Sequence, residues 1–195
     1  MRPAVLALAA SALAALACAS SEKPTCPGTP VATFRFKGPL VQQGDPDLAG
    51  LDPVPALLDC TPDPTDSEAP IRYPYLFPPF DARLAVDPDT GAAALCRSNG
   101  IVLSGERTGA ASYLLEADAD SAFPCNSACG ATLRVVVAGD VVFSTGGEPE
   151  AFKGILVEVL TEARGACDGC LPTVPGSDPP QRACAARYAI AGRLR

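Results

Sequence analysis

From Val31 onward the chain is a succession of short segments in which apolar and polar residues alternate, most of them closed by a turn signal. Val31–Lys37 sets the pattern: Ala32, Phe34 and Phe36 share one face, and Thr33, Arg35 and Lys37 share the other. That period of two is the signature of a half-buried strand. Ile71, Tyr73, Tyr75 and Phe77 alternate next, with Pro74 marking an edge. Phe80, Ala82, Leu84 and Val86 follow, and Asp87-Pro88-Asp89-Thr90-Gly91 reads as a turn. Ala92–Cys96 returns, Asn99-Gly100 is a hairpin signal, and Ile101–Glu106 and Ser112–Ala117 continue the meander. Thr132–Ala138 is read as a strand, Gly139-Asp140 as a two-residue turn, and Val141–Ser144 as the next strand. Phe152–Leu160 is β-branched in its middle and reads as a strand covered on both faces; Ala185–Leu194 is the last. Eight to ten short strands and no helical pattern define an all-β, antiparallel fold. Pairing between sequence neighbours favours an up-and-down barrel of the lipocalin-like kind, with a β-sandwich as the alternative.

Ahead of this region the chain reads Met1-Arg2-Pro3, then an apolar run over residues 4–17 interrupted only by Ser11, then Cys18. At 1.5 Å per residue the run would span about 21 Å as a helix, short of the ~30 Å hydrocarbon core. It has the dimensions of a signal-peptide apolar region behind a short positive start. Ala15-Leu16-Ala17-Cys18 resembles the lipobox of bacterial lipoprotein precursors, with Ala15 where that family prefers Leu. The resemblance covers about the first twenty residues. It implies cleavage before Cys18, acylation of Cys18 by diacylglycerol and a fatty acid, and anchoring in a lipid bilayer. Ala19 follows, where Asp would mark inner-membrane retention, so the implied destination is the outer membrane of the cell envelope. The alternative is cleavage at the small-x-small Ala17-Cys18-Ala19, which would release a soluble secreted chain. Residues 1–17 are then a signal peptide, residues 18–30 a Pro-rich tether, and residues 31–195 a single β-rich domain.

Beyond Cys18 stand eight cysteines: Cys26, Cys60, Cys96, Cys125, Cys129, Cys167, Cys170 and Cys184. An even number in an exported chain reads as a disulfide framework, whose connectivity sequence leaves open. Cys125/Cys129 and Cys167/Cys170 have four-cysteine zinc spacing, but an oxidising compartment favours disulfides, and no metal or other cofactor is assigned. Cys167–Cys170 also has the spacing of thiol oxidoreductases, without the helix such a site needs to lower a thiol pKa.

The net charge is −7, so the phosphate backbone of nucleic acid is excluded as a partner. On the same net charge an anionic lipid surface is expected to repel the protein, leaving the acyl group as the contact with the bilayer. The charge is uneven. Residues 42–70 form a long Pro-rich loop with seven acids and no base, and residues 182–195 hold four arginines and no acid. Arg187 and Arg193 are expected on the outer, solvated face of the last strand.

The chain contains no histidine, which removes every Ser-His-Asp, Cys-His and histidine-metal arrangement. Glu158 and Glu162 share a strand face in this reading, about 13 Å apart, and are expected in solvent. Asp87, Asp89 and Thr90 superficially match calcium-loop spacing but lack the further acids such a loop requires. No catalytic residue is therefore nominated. The expectation is a non-enzymatic, lipid-anchored envelope protein that binds an envelope partner or supports an assembly. Two alternatives are a lipocalin-like carrier of an apolar ligand and a disulfide-stabilised exported enzyme using carboxylates or thiols.

Overall fold

The computed structural model describes residues 25–41, 45, 50–60, 79–122, 128–168 and 171–195. It is a closed antiparallel barrel. Nine strands follow one another: β1 (Thr29–Lys37), β2 (Leu40–Val41), β3 (Phe80–Val86), β4 (Ala92–Arg97), β5 (Val102–Arg107), β6 (Ser112–Ala122), β7 (Cys129–Phe143), β8 (Pro149–Gly165) and β9 (Cys184–Leu194). Each strand from β3 to β9 pairs with its sequence neighbour, β1 pairs with β3, and β1 also pairs with β9 to close the ring. The two-residue β2 lies beside β9 above that closure, with Leu40 opposite Tyr188 and Val41 opposite Arg187. Among the described residues there is no helix. Closure is the physical answer to the edge problem, because a ring leaves no unpaired ladder for another chain to join. Where β9 runs beyond β2, the segment ending at Cys60 covers its edge: Cys60 N donates to Ala185 O and Ala185 N to Leu58 O.

The hairpins at Asp87–Gly91 and Asn99-Gly100 form as the sequence predicts, with Gly91 and Gly100 both at positive φ. Asp87 shapes the first: its Oδ1 accepts from Asp89 N at 2.9 Å and Thr90 N at 3.2 Å, which makes it a turn cap. The same two backbone donors hold its carboxyl below the ordinary carboxylate range. The expected strand at residues 71–77 lies outside the described residues.

Gly139-Asp140 is not a turn. β7 runs unbroken through it, paired with β6 on one side and β8 on the other. Gly139 lies opposite Gly154, and a Cβ on Gly139 would sit 2.4 Å from Lys153 O. The glycine pair is a close approach of two backbones inside a long hairpin, and without a structure it has the same sequence signal as a turn. The reversal falls instead at residues 144–148, where Ser144 N donates to Glu148 O.

Alternation sends Phe34, Phe36, Phe80, Leu84, Leu95, Leu103, Leu115, Leu133, Val137, Phe152 and Leu156 into the lumen, all buried. Four phenylalanines fill one level of it. Phe36 stacks on Phe80 at 4.9 Å and meets Phe34 and Phe152 edge-on at 5.9 and 5.4 Å. Gly192 of β9 faces this cluster, where a Cβ would come within 3.0–3.1 Å of all of Phe34, Phe36 and Phe152. Each fully buried ring contributes about 1.5–3 kcal/mol, and edge-on pairs add to that. A second, smaller apolar cluster lies outside the barrel: Ile155, Val157, Val159 and Ala185 on β8 and β9, covered by Leu51, Val54 and Leu57. The middle of β8 is thus buried on both faces, as its run of apolar residues predicts.

Candidate functional site

Three disulfides join the described cysteines: Cys26–Cys96, Cys60–Cys184 and Cys129–Cys167. Cys18, Cys125 and Cys170 lie outside the described residues. Cys167 is buried and bonded to Cys129, so it is neither an exposed thiol beside Cys170 nor a zinc ligand. The chain between Gly165 and Cys184 is irregular in its described parts, with no helix to activate a thiol. The three bridges pin the N-terminal approach to β4, the acidic loop to β9, and the top of β7 to the loop after β8.

Glu158 is not in solvent. It lies on the lumen side of β8 with Phe152, Leu156 and Leu160, at 1 % exposure. Glu162 is exposed and on the other side, because a bulge in the β7–β8 ladder between Gly130 and Thr132 reverses the alternation. Glu162 adopts a positive φ of 51° there and accepts from Thr132 Oγ1 at 2.8 Å. The two carboxylates therefore share no face and no substrate bond. Sequence alternation had no sign of the bulge.

Glu158 belongs instead to a polar group at the wider-looped end of the lumen. Tyr188 on β9 neighbours it, and burial together with the Glu158 charge pushes the Tyr188 phenol up to about 12. Arg97 at the end of β4 lies over the Phe80 ring at 4.8 Å. Burial lowers the Arg97 pKa and the charge of Glu158 opposes that shift. A buried carboxylate facing a guanidinium above a floor of phenylalanine rings is a charge-compensated patch in an apolar lumen.

Arg187 departs furthest from its sequence reading. It projects outward from β9, yet its side chain is fully buried. Its Nε donates to Asp52 Oδ2 at 2.7 Å and its Nη1 to Asp59 Oδ1 at 2.7 Å. Its Nη2 donates to Val54 O and Leu57 O, both at 2.9 Å. Residues 50–60 of the acidic segment lie over the barrel wall, and Arg187 is the residue they close on.

A second outer face lies across β9, β1 and β3. Arg193 stands opposite Arg35, and Arg35 opposite Asp81; Arg83 follows on β3, opposite Cys96 of β4. Arg195 Nη1 donates to Asp81 Oδ2 at 2.5 Å, and Arg35 Nη1 lies 3.7 Å from Asp81 Oδ1. Beside them is a cavity of about 260 Å³ lined by Thr33, Asp81, Arg83, Arg97, Ser98 and Arg195, with Cys96 at its wall. Guanidinium groups with two hydroxyls suit an oxyanion. The sequence showed the arginines of residues 182–195 but not that Arg35 and Arg83 join them.

No protein-family model matches the chain, and comparison with curated proteins and with solved structures likewise finds no match.

Proposed function

We propose that this chain is a non-enzymatic lipoprotein of the cell envelope: a disulfide-stapled β-barrel held at the outer membrane by acylated Cys18, with a binding or structural role. The observation that carries the reading is the Cys26–Cys96 bridge. It joins the barrel wall to a cysteine eight residues after the lipobox-like Ala15-Leu16-Ala17-Cys18, so the tether is short and its barrel end is covalently fixed. Disulfides of this kind persist where the chain meets an oxidising compartment, which is where an exported lipoprotein resides. Two or more acyl chains give the firm hold that one chain cannot. The phenylalanine rings packed across the lumen support binding at the outer surface over carriage of an apolar molecule inside.

Intact mass of the membrane-extracted protein, unreduced and reduced, tests this. The expected result is a chain beginning at Cys18 with a diacylglyceryl and acyl increment. A mass beginning at Ser20 would assign it to the secreted soluble class, and a mass retaining Met1 would overturn export altogether.

A further inference from the structure

The net charge of −7 conceals a basic face. Strands β1, β3 and β9 together contain one carboxylate, Asp81, and they carry Arg35, Lys37, Arg83 and Arg193 exposed on the outer wall, with Arg195 just beyond. Asp87 and Asp89 lie past the far end of β3, in the turn. Arg35 and Arg193 are directly opposed across the β1–β9 ladder. Like charges in that position destabilise a sheet. Asp81 engages Arg35 and Arg195, while no carboxylate among the described residues forms an ion pair with Arg83 or Arg193. The face therefore carries more positive charge than the described residues neutralise.

A second observation places the tether beside this face. The Cys26–Cys96 bridge sits on the same wall: Cys96 is the ladder partner of Arg83, Cys26 Sγ lies 3.6 Å from Arg83 O, and Cys96 lines the arginine cavity. The tether thus joins the barrel at the edge of the basic face. From Cys18 to Cys26 is eight residues, a reach of at most about 28 Å. A linker of this length holds its ends at an effective concentration on the order of mM. We propose, on the anchor reading above, that the face formed by Arg35, Arg83, Arg193 and Arg195 lies on the anionic headgroup phosphates of the membrane that holds Cys18. The lipid restricts the barrel to the surface, and the arginines set its orientation. The repulsion expected from net charge does not apply at this range, because screening over about 8 Å makes local charge decisive.

Arginine footprinting tests the contact. The membrane-extracted full chain is reconstituted in phosphatidylcholine vesicles, in the same vesicles with phosphatidylglycerol as the minor component, and in phosphatidylcholine vesicles with free inorganic phosphate. An arginine-selective dicarbonyl reagent is applied and sites are read by mass spectrometry. Arg134, on the outer face of β7 with Glu116 as its partner, is the reference site. The expected result is about fivefold slower labelling of Arg83 and Arg193 on phosphatidylglycerol vesicles only, reversed by high salt. In the Arg83→Gln/Arg193→Gln variant, whose replaced side chains are exposed, Arg35 and Arg195 should lose their protection. Equal labelling on neutral and anionic vesicles overturns the proposal, as does equal protection by free phosphate. The same digest contains the Cys18 peptide: if it is unacylated the anchor reading fails by itself, and the vesicle comparison still decides whether the face binds anionic lipid.

Discussion

Arg187 Nη1 lies 2.7 Å from Asp59 Oδ1, although 128 residues separate them in the chain. With Asp52 on its Nε and two carbonyls on Nη2, the fully buried guanidinium places four of its five donors. Removing one member of such a pair leaves the rest buried and unmatched. Arg187→Met should destabilise the protein by about 3–5 kcal/mol in urea unfolding. Asp59→Asn keeps a hydrogen-bond acceptor and should cost less. A loss for Asp59→Asn as large as that for Arg187→Met would assign the stabilisation to the Asp59 charge alone rather than to the whole set of hydrogen bonds on Arg187.

Gly192 and Gly139 offer two different tests of close packing. Gly192→Ala places a methyl 3.0–3.1 Å from Phe34 Cβ, Phe36 Cε1 and Phe152 Cβ, so the facing strands must give by a few tenths of an ångström, and it should cost about 1–3 kcal/mol. Gly139→Ala meets the backbone oxygen of Lys153 at 2.4 Å, with no rotamer to relieve it, and should cost more. Thermal unfolding of the two variants gives the order directly. If Gly139 formed a turn, its replacement would be the milder of the two.

The bridges should differ in worth by loop length. Cys60–Cys184 closes 124 residues and Cys129–Cys167 closes 38. Loop entropy then makes replacement of the first pair by alanine about 1 kcal/mol more costly than replacement of the second. Non-reducing peptide mapping should recover Cys26 with Cys96, Cys60 with Cys184 and Cys129 with Cys167. A Cys167–Cys170 peptide would contradict the fold at that end of the barrel.

Tyr188 should ionise well above the ordinary tyrosine range. Its phenol is pushed up to about 12, against about 10 for the unfolded chain, so the folded state holds the proton more tightly. The associated stability, on the order of 2 kcal/mol, is complete below pH 10 and is lost as pH rises from 10 through 12. Ultraviolet titration of wild type against Tyr188→Phe isolates that phenol. Glu158→Gln removes the neighbouring negative charge and should move the Tyr188 transition to lower pH; no movement would place Glu158 away from it.

The barrel class was legible because alternation and turn chemistry are local. Phe34 and Phe36 declare an inward face in three residues, and Asp87 to Gly91 declare a reversal in five. Gly139 shows where that local logic stops. Its pairing with Gly154 depends on which strand lies alongside, and the same residues would serve a turn. Glu158 and Glu162 show it again, since the alternation of Phe152, Leu156 and Leu160 carries the first into the lumen and one bulge places the second outside.

By itself the sequence determined the strand periodicity, the absence of histidine chemistry and the even set of cysteines beyond Cys18, because each depends only on residue type and spacing. Tertiary structure alone decided which cysteines meet, that Arg187 is buried while Arg193 is exposed, and that Arg35, Arg83, Arg193 and Arg195 form one face. Those outcomes follow from closing the sheet on itself. Closure brings β1 against β9, residues 50–60 lie over the wall, and contacts between segments more than a hundred residues apart leave no periodic trace in the chain.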